Sequence, residues 1–90
     1  MYVLKIGAAW CMGCIVMRPR WEKIEDALPW LETRYLDYDD DQDEIKSLGI
    51  ATENLPTFIF YSKQGEELER KTGEISKDEL LQTIERLKNS

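Results

Sequence analysis

Two cysteines, Cys11 and Cys14, are the only thiols of the chain, and Met12 and Gly13 separate them. Cysteines at this spacing can form a redox-active pair, half of a metal site or a static disulfide. A static bond across so short a loop restrains the unfolded chain little, because disulfide stabilisation grows with the length of the closed loop. Zinc usually takes four ligands, and the chain has no histidine. We therefore interpret the pair first as a redox-active dithiol with no metal, and keep a metal site shared with a second chain as an alternative.

The cysteines lie where a predicted strand, residues 2–6, gives way to a predicted helix, residues 11–27. At a helix N-terminus, unpaired backbone N–H groups and the positive end of the helix dipole stabilise an anion. A thiolate is therefore favoured at Cys11, and Cys14 lies one turn further along, where its sulfur can reach back. The chemistry that follows is thiol–disulfide exchange, in which Cys11 attacks a disulfide, a mixed disulfide forms and Cys14 resolves it.

Alternating and helical patterns in the rest of the sequence predict the elements that position this pair. Further strands are expected over residues 31–38, 57–61 and 67–71, with a helix over 43–48 and a last helix that Ser76 caps. Residues 51–54 are predicted as a loop. It either reshapes the substrate groove or is a neutral insertion. The apolar face of the first helix is expected to comprise Ile15, Met17, Trp21, Ile24 and Leu28. That of the last helix is expected to comprise Leu80, Leu81, Ile84 and Leu87.

The order β-α-β-α-β-β-α predicts one α/β domain over residues 1–90. Its first two strands should be parallel, because a helix joins them, and its last two should form an antiparallel hairpin. We therefore expect a mixed four-stranded sheet with helices on both faces.

The charge balance limits the classes of partner. The chain carries 12 basic and 18 acidic residues, a net charge of −6. This charge argues against nucleic acid and against anionic membrane surfaces, both of which favour basic proteins. No apolar run approaches the roughly 18 residues of a membrane span. Because the first strand leads directly into the cysteines, we expect no signal peptide and a cytoplasmic, monomeric protein.

Several segments together resemble the thioredoxin family over nearly the whole chain. The residues that carry the resemblance are Trp10-Cys11-Met12-Gly13-Cys14 after a strand, Pro19 within the helix, Leu55-Pro56-Thr57 before a buried strand, the Lys63-Gln64-Gly65 turn and Thr72-Gly73 before the last helix. Each segment alone is a weak signal, whereas Trp-Cys-x-x-Cys combined with the downstream Leu-Pro-Thr is a strong one.

The resemblance implies a thioredoxin fold and a thiol–disulfide oxidoreductase that acts as a protein disulfide reductase. Cys11 would be the exposed nucleophile, Cys14 the buried resolving thiol, and Pro56 would follow a cis peptide bond that faces the cysteines. The implied substrate-binding residues are Trp10, Met12, Gly13, Leu55, Pro56, Thr57 and Gly73. The Cys11–Cys14 disulfide would be the only redox group. Its partners would be disulfide-containing proteins and a reductant that is either thioredoxin-reductase-like or glutathione-linked.

Two other functions stay open at the level of the sequence. A glutaredoxin-like electron donor to one dedicated enzyme would have a similar length. Its motif would begin with Pro-Tyr or Pro-Phe instead of Trp10, and it would carry a paired-glycine turn instead of the single Gly73. The other alternative is a redox-inert or metal-bridged interaction module with the same fold.

Lys5 is the main departure from the family pattern. In thioredoxins the matching strand position often carries a buried aspartate that helps to move the proton of the resolving cysteine. A lysine cannot serve as that carboxylate. Lys5 either faces solvent or points inward and pairs with an acid on the adjacent strand. Asp37 is the predicted partner, and we hypothesise that Lys5 and Asp37 form a charge-swapped proton relay. Met12-Gly13 in place of Gly-Pro also leaves the direction of electron flow open.

Overall fold

A computed structural model describes residues 1–89. The strands are β1 (Tyr2–Gly7), β2 (Glu32–Asp37), β3 (Thr57–Tyr61) and β4 (Glu67–Thr72). The helices are α1 (Met12–Ala27), α2 (Gln42–Ser47) and α3 (Lys77–Leu87). The segment predicted as a loop before Pro56 forms a short 3₁₀ helix, Thr52–Asn54. Every predicted strand and helix is present, with limits that differ from the predicted ones by about one residue, as expected for frayed ends.

The sheet has the strand order β2-β1-β3-β4. β1 pairs with β2 in parallel and with β3 in antiparallel orientation, and β3 pairs with β4 in antiparallel orientation. The predicted mixed four-stranded sheet is thereby confirmed. Because β1 is an inner strand, its carboxyl end is held from both sides, and the chain leaves it at Gly7 to enter the cysteine segment.

Helices cover both faces of the sheet, as predicted. Successive side chains of a strand point to opposite faces, so β1 contributes to two apolar layers. The layer under α1 and α3 includes Val3, Trp21, Phe58, Phe60, Leu80 and Ile84. The layer under α2 includes Leu4, Ile6, Leu36, Ile45 and Ile59. Lys5 and Gly7 alternate with Leu4 and Ile6 and therefore lie on the α1 face.

The inner face of α1 differs from the prediction at Ile15, whose side chain is 47% exposed. The buried residues of α1 are Cys14, Met17, Trp21 and Ile24. With about 3.6 residues per turn, neighbouring residues point in well-separated directions. Cys14 turned toward the sheet therefore leaves Ile15 turned toward solvent.

The last helix begins as predicted, because the Ser76 hydroxyl accepts a hydrogen bond of 3.1 Å from the backbone N–H of Glu79. This bond satisfies one of the free N–H groups of the first turn. Among residues 1–89, no helix combines the length and the apolar character that crossing a bilayer would require.

Candidate active site

The junction between β1 and α1 holds Cys11 at the N-cap of the helix. Its backbone is extended, with φ −92° and ψ 115°, and its sulfur accepts a hydrogen bond of 3.2 Å from the backbone N–H of Cys14. The Cys11 N–H in turn donates to the carbonyl oxygen of Ala8 at 3.2 Å. A sulfur in the capping position takes the place of the oxygen that usually accepts this bond. Negative charge on that sulfur is therefore stabilised by the helix N-terminus.

Cys14 lies in the first turn of α1, and both cysteines are thiols in the structure. Its sulfur packs over Gly7, where an added Cβ atom would stand 2.9 Å from Cys14 Sγ. The pKa of Cys14 is raised from 9.0 to about 12. The main cause is burial of the thiol, and the next is its hydrogen bond with Cys11. The two thiols therefore differ in role, since Cys14 keeps its proton until a group removes it.

The loop before β3 faces the helix N-terminus. The Leu55–Pro56 peptide bond is cis, and the proline ring lies against Gly13, where an added Cβ would stand 3.1 Å from Pro56 Cδ. The backbone N–H of Gly73 donates a hydrogen bond of 2.8 Å to the Pro56 carbonyl oxygen, and Gly73 has φ 93°, a conformation that favours glycine. The structure thus brings Gly13, Pro56 and Gly73 together beside the cysteines.

Exposed apolar side chains surround the cysteine segment. Trp10 is 53% exposed and Met12 is 76% exposed. The Trp10 indole N–H donates to a carboxylate oxygen of Asp39 at 2.9 Å, and its ring meets that of Tyr38 edge to face at 6.1 Å. Leu55 is half-buried against the two cysteines. A large exposed tryptophan fixed by a hydrogen bond is typical of a surface that another protein covers.

Thr57 does not belong to this surface, contrary to the prediction from the sequence. Its side chain is 2% exposed. The hydroxyl donates a hydrogen bond to the carbonyl oxygen of Asn54 and lies 3.4 Å from the Thr72 hydroxyl. As the first residue of β3, Thr57 points into the sheet layer, where it joins β4 and the preceding turn instead of meeting a substrate.

The predicted pairing of Lys5 with Asp37 is wrong. Lys5 Nζ lies 2.5 Å from a carboxylate oxygen of Glu25 on α1, and the same oxygen accepts a hydrogen bond of 2.9 Å from the Thr33 hydroxyl. The ammonium group also lies 5.8 Å from the centre of a Trp21 ring. Of the two interpretations of Lys5, the inward-pointing one is therefore confirmed. Its partner, however, is on the helix that covers the sheet and not on the adjacent strand.

Asp37 lies further along the sheet than Lys5. In the register of the parallel pair, Lys5 is opposite Tyr35, and Asp37 is opposite Gly7. The Asp37 carboxylate accepts hydrogen bonds from the backbone N–H groups of Asp39 and Asp40, at 3.0 and 3.2 Å. The relay hypothesis consequently fails in the form proposed, because the two residues do not meet.

Two residues that the sequence did not single out belong to the site. Glu25 follows Trp21 by four residues, so helical spacing from an inward-facing residue could have placed it on the same side of α1. The Tyr35 hydroxyl lies near Cys14, since the position of a Gly7 Cβ would be 3.3 Å from it. Strand parity places Tyr35 on the same face as Asp37, but of these two residues only Asp37 was taken from the sequence as a site residue.

The arrangement at the helix N-terminus is that of two neighbouring thiols. Within residues 1–89, no group of three or more histidine, cysteine, aspartate or glutamate side chains is placed to hold a metal ion. The site instead offers one sulfur at a helix N-terminus, a second, protonated sulfur behind it and a cis-proline loop in front. A fold of this order with this site defines the class of thioredoxin-fold thiol–disulfide oxidoreductases.

Comparison with known proteins identifies the family within that class. The family model described as Thioredoxin matches residues 1–86, and the chain belongs to the thioredoxin family. A thioredoxin of Chlamydia muridarum is 32% identical over 77 residues, which cover 86% of this chain and 72% of that protein.

Solved structures agree with this assignment. Fasciola hepatica thioredoxin is 29% identical and superposes with a TM-score of 0.86, covering 97% of this chain and 80% of its own. A chain from a structural study of thiol resolution in yeast mitochondrial 1-Cys peroxiredoxin via glutathione and thioredoxin systems is 26% identical, with a TM-score of 0.83 and coverage of 96% and 77%.

Proposed function

We propose that the protein reduces disulfide bonds in other proteins, with Cys11 as nucleophile and Cys14 as resolving thiol. The observation that carries the proposal is the N-cap position of Cys11, whose sulfur accepts the Cys14 N–H at 3.2 Å. A thiolate formed there attacks one sulfur of a substrate disulfide. The S–S bond of the substrate breaks, a mixed disulfide with Cys11 forms, and the other substrate sulfur leaves as a thiolate that takes up a proton.

The second half of the reaction belongs to Cys14. This thiol loses its proton and attacks the sulfur of Cys11, so that the Cys11–Cys14 disulfide forms and the bond between Cys11 and the substrate breaks. Two electrons have then passed from the dithiol to the substrate, which is released with both of its sulfurs reduced. A reductant of the thioredoxin-reductase or glutathione-linked kind restores the dithiol.

The surface around the cysteines supports a protein as the substrate. Trp10 and Met12 offer exposed apolar area, and Leu55 lies half-buried between the cysteines and the cis-proline loop. Aromatic and methionine side chains are frequent at protein interfaces. The similarity to a chain from a peroxiredoxin study supports the general kind of partner, a protein that carries an oxidised cysteine.

Insulin reduction with dithiothreitol tests the proposal. Wild-type protein should accelerate the reaction, and Cys11→Ser should abolish the acceleration. Ser47→Ala, a substitution on the exposed side of α2, serves as the control and should leave the rate unchanged. Cys14→Ser should accumulate a mixed disulfide with the substrate, visible on a non-reducing gel. No acceleration by the wild type, together with zinc in the purified protein, would favour the interaction module.

The physiological reductant is identified by a second assay on the same protein. NADPH oxidation is followed once with a thioredoxin reductase and once with glutathione and glutathione reductase. We expect turnover with the thioredoxin reductase, because the rim of the site carries Trp10 before the cysteines and a single Gly73. Turnover with glutathione alone would assign the protein to the glutaredoxin-like alternative.

A further inference from the structure

A small cavity lies beside Cys14, between the sheet and α1. Its volume is about 60 Å³, and its polar lining comes from Lys5, Cys14, Arg18 and Tyr35. Trp21 also lines it, and the indole N–H of Trp21 is buried without a hydrogen-bond partner among residues 1–89. Apolar side chains, including Met17, Trp21 and Phe58, form the rest of the lining. The cavity therefore places the few polar groups named above beside the resolving cysteine, with room for about one or two water molecules.

The Tyr35 hydroxyl and the Cys14 sulfur both lie next to Gly7. A Cβ atom added at Gly7 would stand 2.9 Å from Cys14 Sγ and 3.3 Å from the Tyr35 hydroxyl oxygen. Both atoms thus border the space that a side chain at Gly7 would fill, and the sum of the two distances keeps them within reach of one bridging water. A bridging water transmits a hydrogen bond almost as well as direct contact.

Asp37 completes a sequence of three groups. It follows Tyr35 by two residues on β2, so both side chains lie on the α1 face of the sheet. The Tyr35 side chain is 48% exposed, and partial burial of its hydroxyl is the first cause of a raised pKa there, with the negative charge of Asp37 the second. Charge on Cys14 raises the pKa of Tyr35 as well, whereas Arg18 lowers it. The phenol is consequently protonated at neutral pH, with an acceptor carboxylate near it and a thiol on the other side.

We propose that Tyr35 carries the proton of Cys14 to Asp37 when Cys14 attacks the mixed disulfide. The S–H bond of Cys14 breaks and its proton passes to the Tyr35 oxygen, while the original O–H proton of Tyr35 passes to the Asp37 carboxylate. The new Cys14–Cys11 bond forms as the bond between Cys11 and the substrate sulfur breaks. The substrate leaves as a thiolate and takes up a proton from solvent. The half-buried Asp37 then releases its proton to solvent, so that no net proton is gained or lost. This inference rests on the proposed thiol–disulfide exchange.

Other charged groups face the same cavity and affect its pH dependence. Those that line it are Lys5 from β1 and Arg18 from α1. Three further groups act on residues of this lining from outside it: Glu25 pairs with Lys5, Asp37 acts on Tyr35 and Cys11 acts on Cys14. β3 contributes Phe58, which does not titrate. The charge of Lys5 is balanced by Glu25, and the charge of Arg18 lowers the pKa of Tyr35. A substitution of tyrosine by phenylalanine leaves all of these groups in place, so the difference between the two proteins isolates the hydroxyl.

Stopped-flow reaction with the aromatic disulfide dithiobis(nitrobenzoate) separates the two halves of the reaction. Attack by Cys11 releases one coloured thiolate at a rate proportional to the reagent concentration. Attack by Cys14 on the resulting mixed disulfide releases the second at a rate independent of that concentration. We expect Tyr35→Phe to leave the first phase unchanged and to slow the second roughly a hundredfold at neutral pH, within the range of general acid–base effects.

The pH profile distinguishes proton transfer from a structural effect. Because hydroxide can take the Cys14 proton directly, the difference between wild type and Tyr35→Phe should narrow as the pH rises. Asp37→Asn should slow the second phase in the same direction. Tyr61→Phe, at a half-buried tyrosine that stacks on Tyr2 at 4.8 Å, is the matched control and should change neither phase.

Each outcome decides one of the two proposals. Absence of the first phase in the wild type would overturn the proposed function. A normal first phase with an unchanged second phase in Tyr35→Phe would overturn the role of Tyr35 alone. Two other results for Tyr35→Phe would also overturn this role: an equal slowing of both phases, and a slowing of the second phase that is the same at every pH. Either result is what a purely structural role would produce.

Discussion

Lys5 on β1 and Glu25 on α1 form an ion pair of 2.5 Å beside the cavity that Cys14 lines. Their side chains are 18% and 31% exposed, so water reaches the pair only in part. Such a pair joins the central strand to the helix that carries both cysteines. Its contribution to folding is expected to exceed that of a fully exposed pair, which is near zero to about 1 kcal/mol.

Removing both members of this pair should destabilise the protein by less than the sum of the two single losses. Lys5→Met and Glu25→Gln are each expected to lower the free energy of unfolding by about 1–2 kcal/mol, less than for a fully buried pair because solvent screens the charges. The double variant should lose less than the two single losses combined. Urea denaturation of the four proteins measures the coupling, and strictly additive losses would contradict it.

A methyl group at Gly7 should disturb the resolving cysteine. The added Cβ of Gly7→Ala would stand 2.9 Å from Cys14 Sγ, closer than van der Waals contact allows, and overpacking of this kind typically costs about 1–3 kcal/mol. Thermal and urea unfolding of the reduced protein should show the loss. In a Cys14→Ala background the same substitution should cost clearly less, because the sulfur that it meets is gone. An equal cost in both backgrounds would place the strain elsewhere.

Alkaline pH should destabilise the reduced protein through Cys14. The pKa of this thiol is 9.0 when unperturbed and about 12 in the fold, mainly because of burial. The fold therefore favours the protonated form, a contribution that is complete below pH 9 and is lost as the pH rises from 9 toward 12. The slope is at most about 1.4 kcal/mol per pH unit.

The matched comparison for this effect is Cys14→Ala. The other groups that titrate in this range are present in both proteins, so their contributions largely cancel. The stability of the wild type relative to the variant should fall from pH 9 upward, measured by urea denaturation at a series of pH values with the thiols kept reduced. A difference that does not change with pH would contradict the raised pKa.

The fold could be predicted from the sequence because its elements have short, clear patterns. Three segments each specify a local structure that tertiary packing does not alter: the Thr57–Tyr61 strand, which is β-branched or aromatic throughout, the turn at Gly65 and the cap at Ser76. The cysteine pair was likewise identifiable, since its spacing and the strand before it fix its place at a helix N-terminus. Only the direction of individual side chains in the first turns of α1 was missed, as Ile15 shows.

The charged surroundings of the cysteines were harder to predict. A search for the partner of Lys5 along the neighbouring strand led to Asp37, whereas the helix packed across the sheet supplies Glu25. Strand parity restricts which residues share a face, but it does not say which helical turn lies above them. Thr57 was misplaced for a related reason, because its sequence neighbours Leu55 and Pro56 face the cysteines while its own side chain points inward.

The strand order β2-β1-β3-β4 divides the work of the site between two halves of the chain. The sulfurs, and the residues that we propose carry the proton of Cys14, come from residues 11–37, in one β-α-β unit. The cis-proline loop and Gly73, against which a partner would lie, come from residues 55–73, in the hairpin half. Trp10 and Met12, which also offer surface to a partner, belong to the first half. Recognition is therefore shared between the two halves, whereas the sulfurs come from one of them, and only the part of the binding surface in residues 55–73 can vary without a change in the unit that carries the thiols.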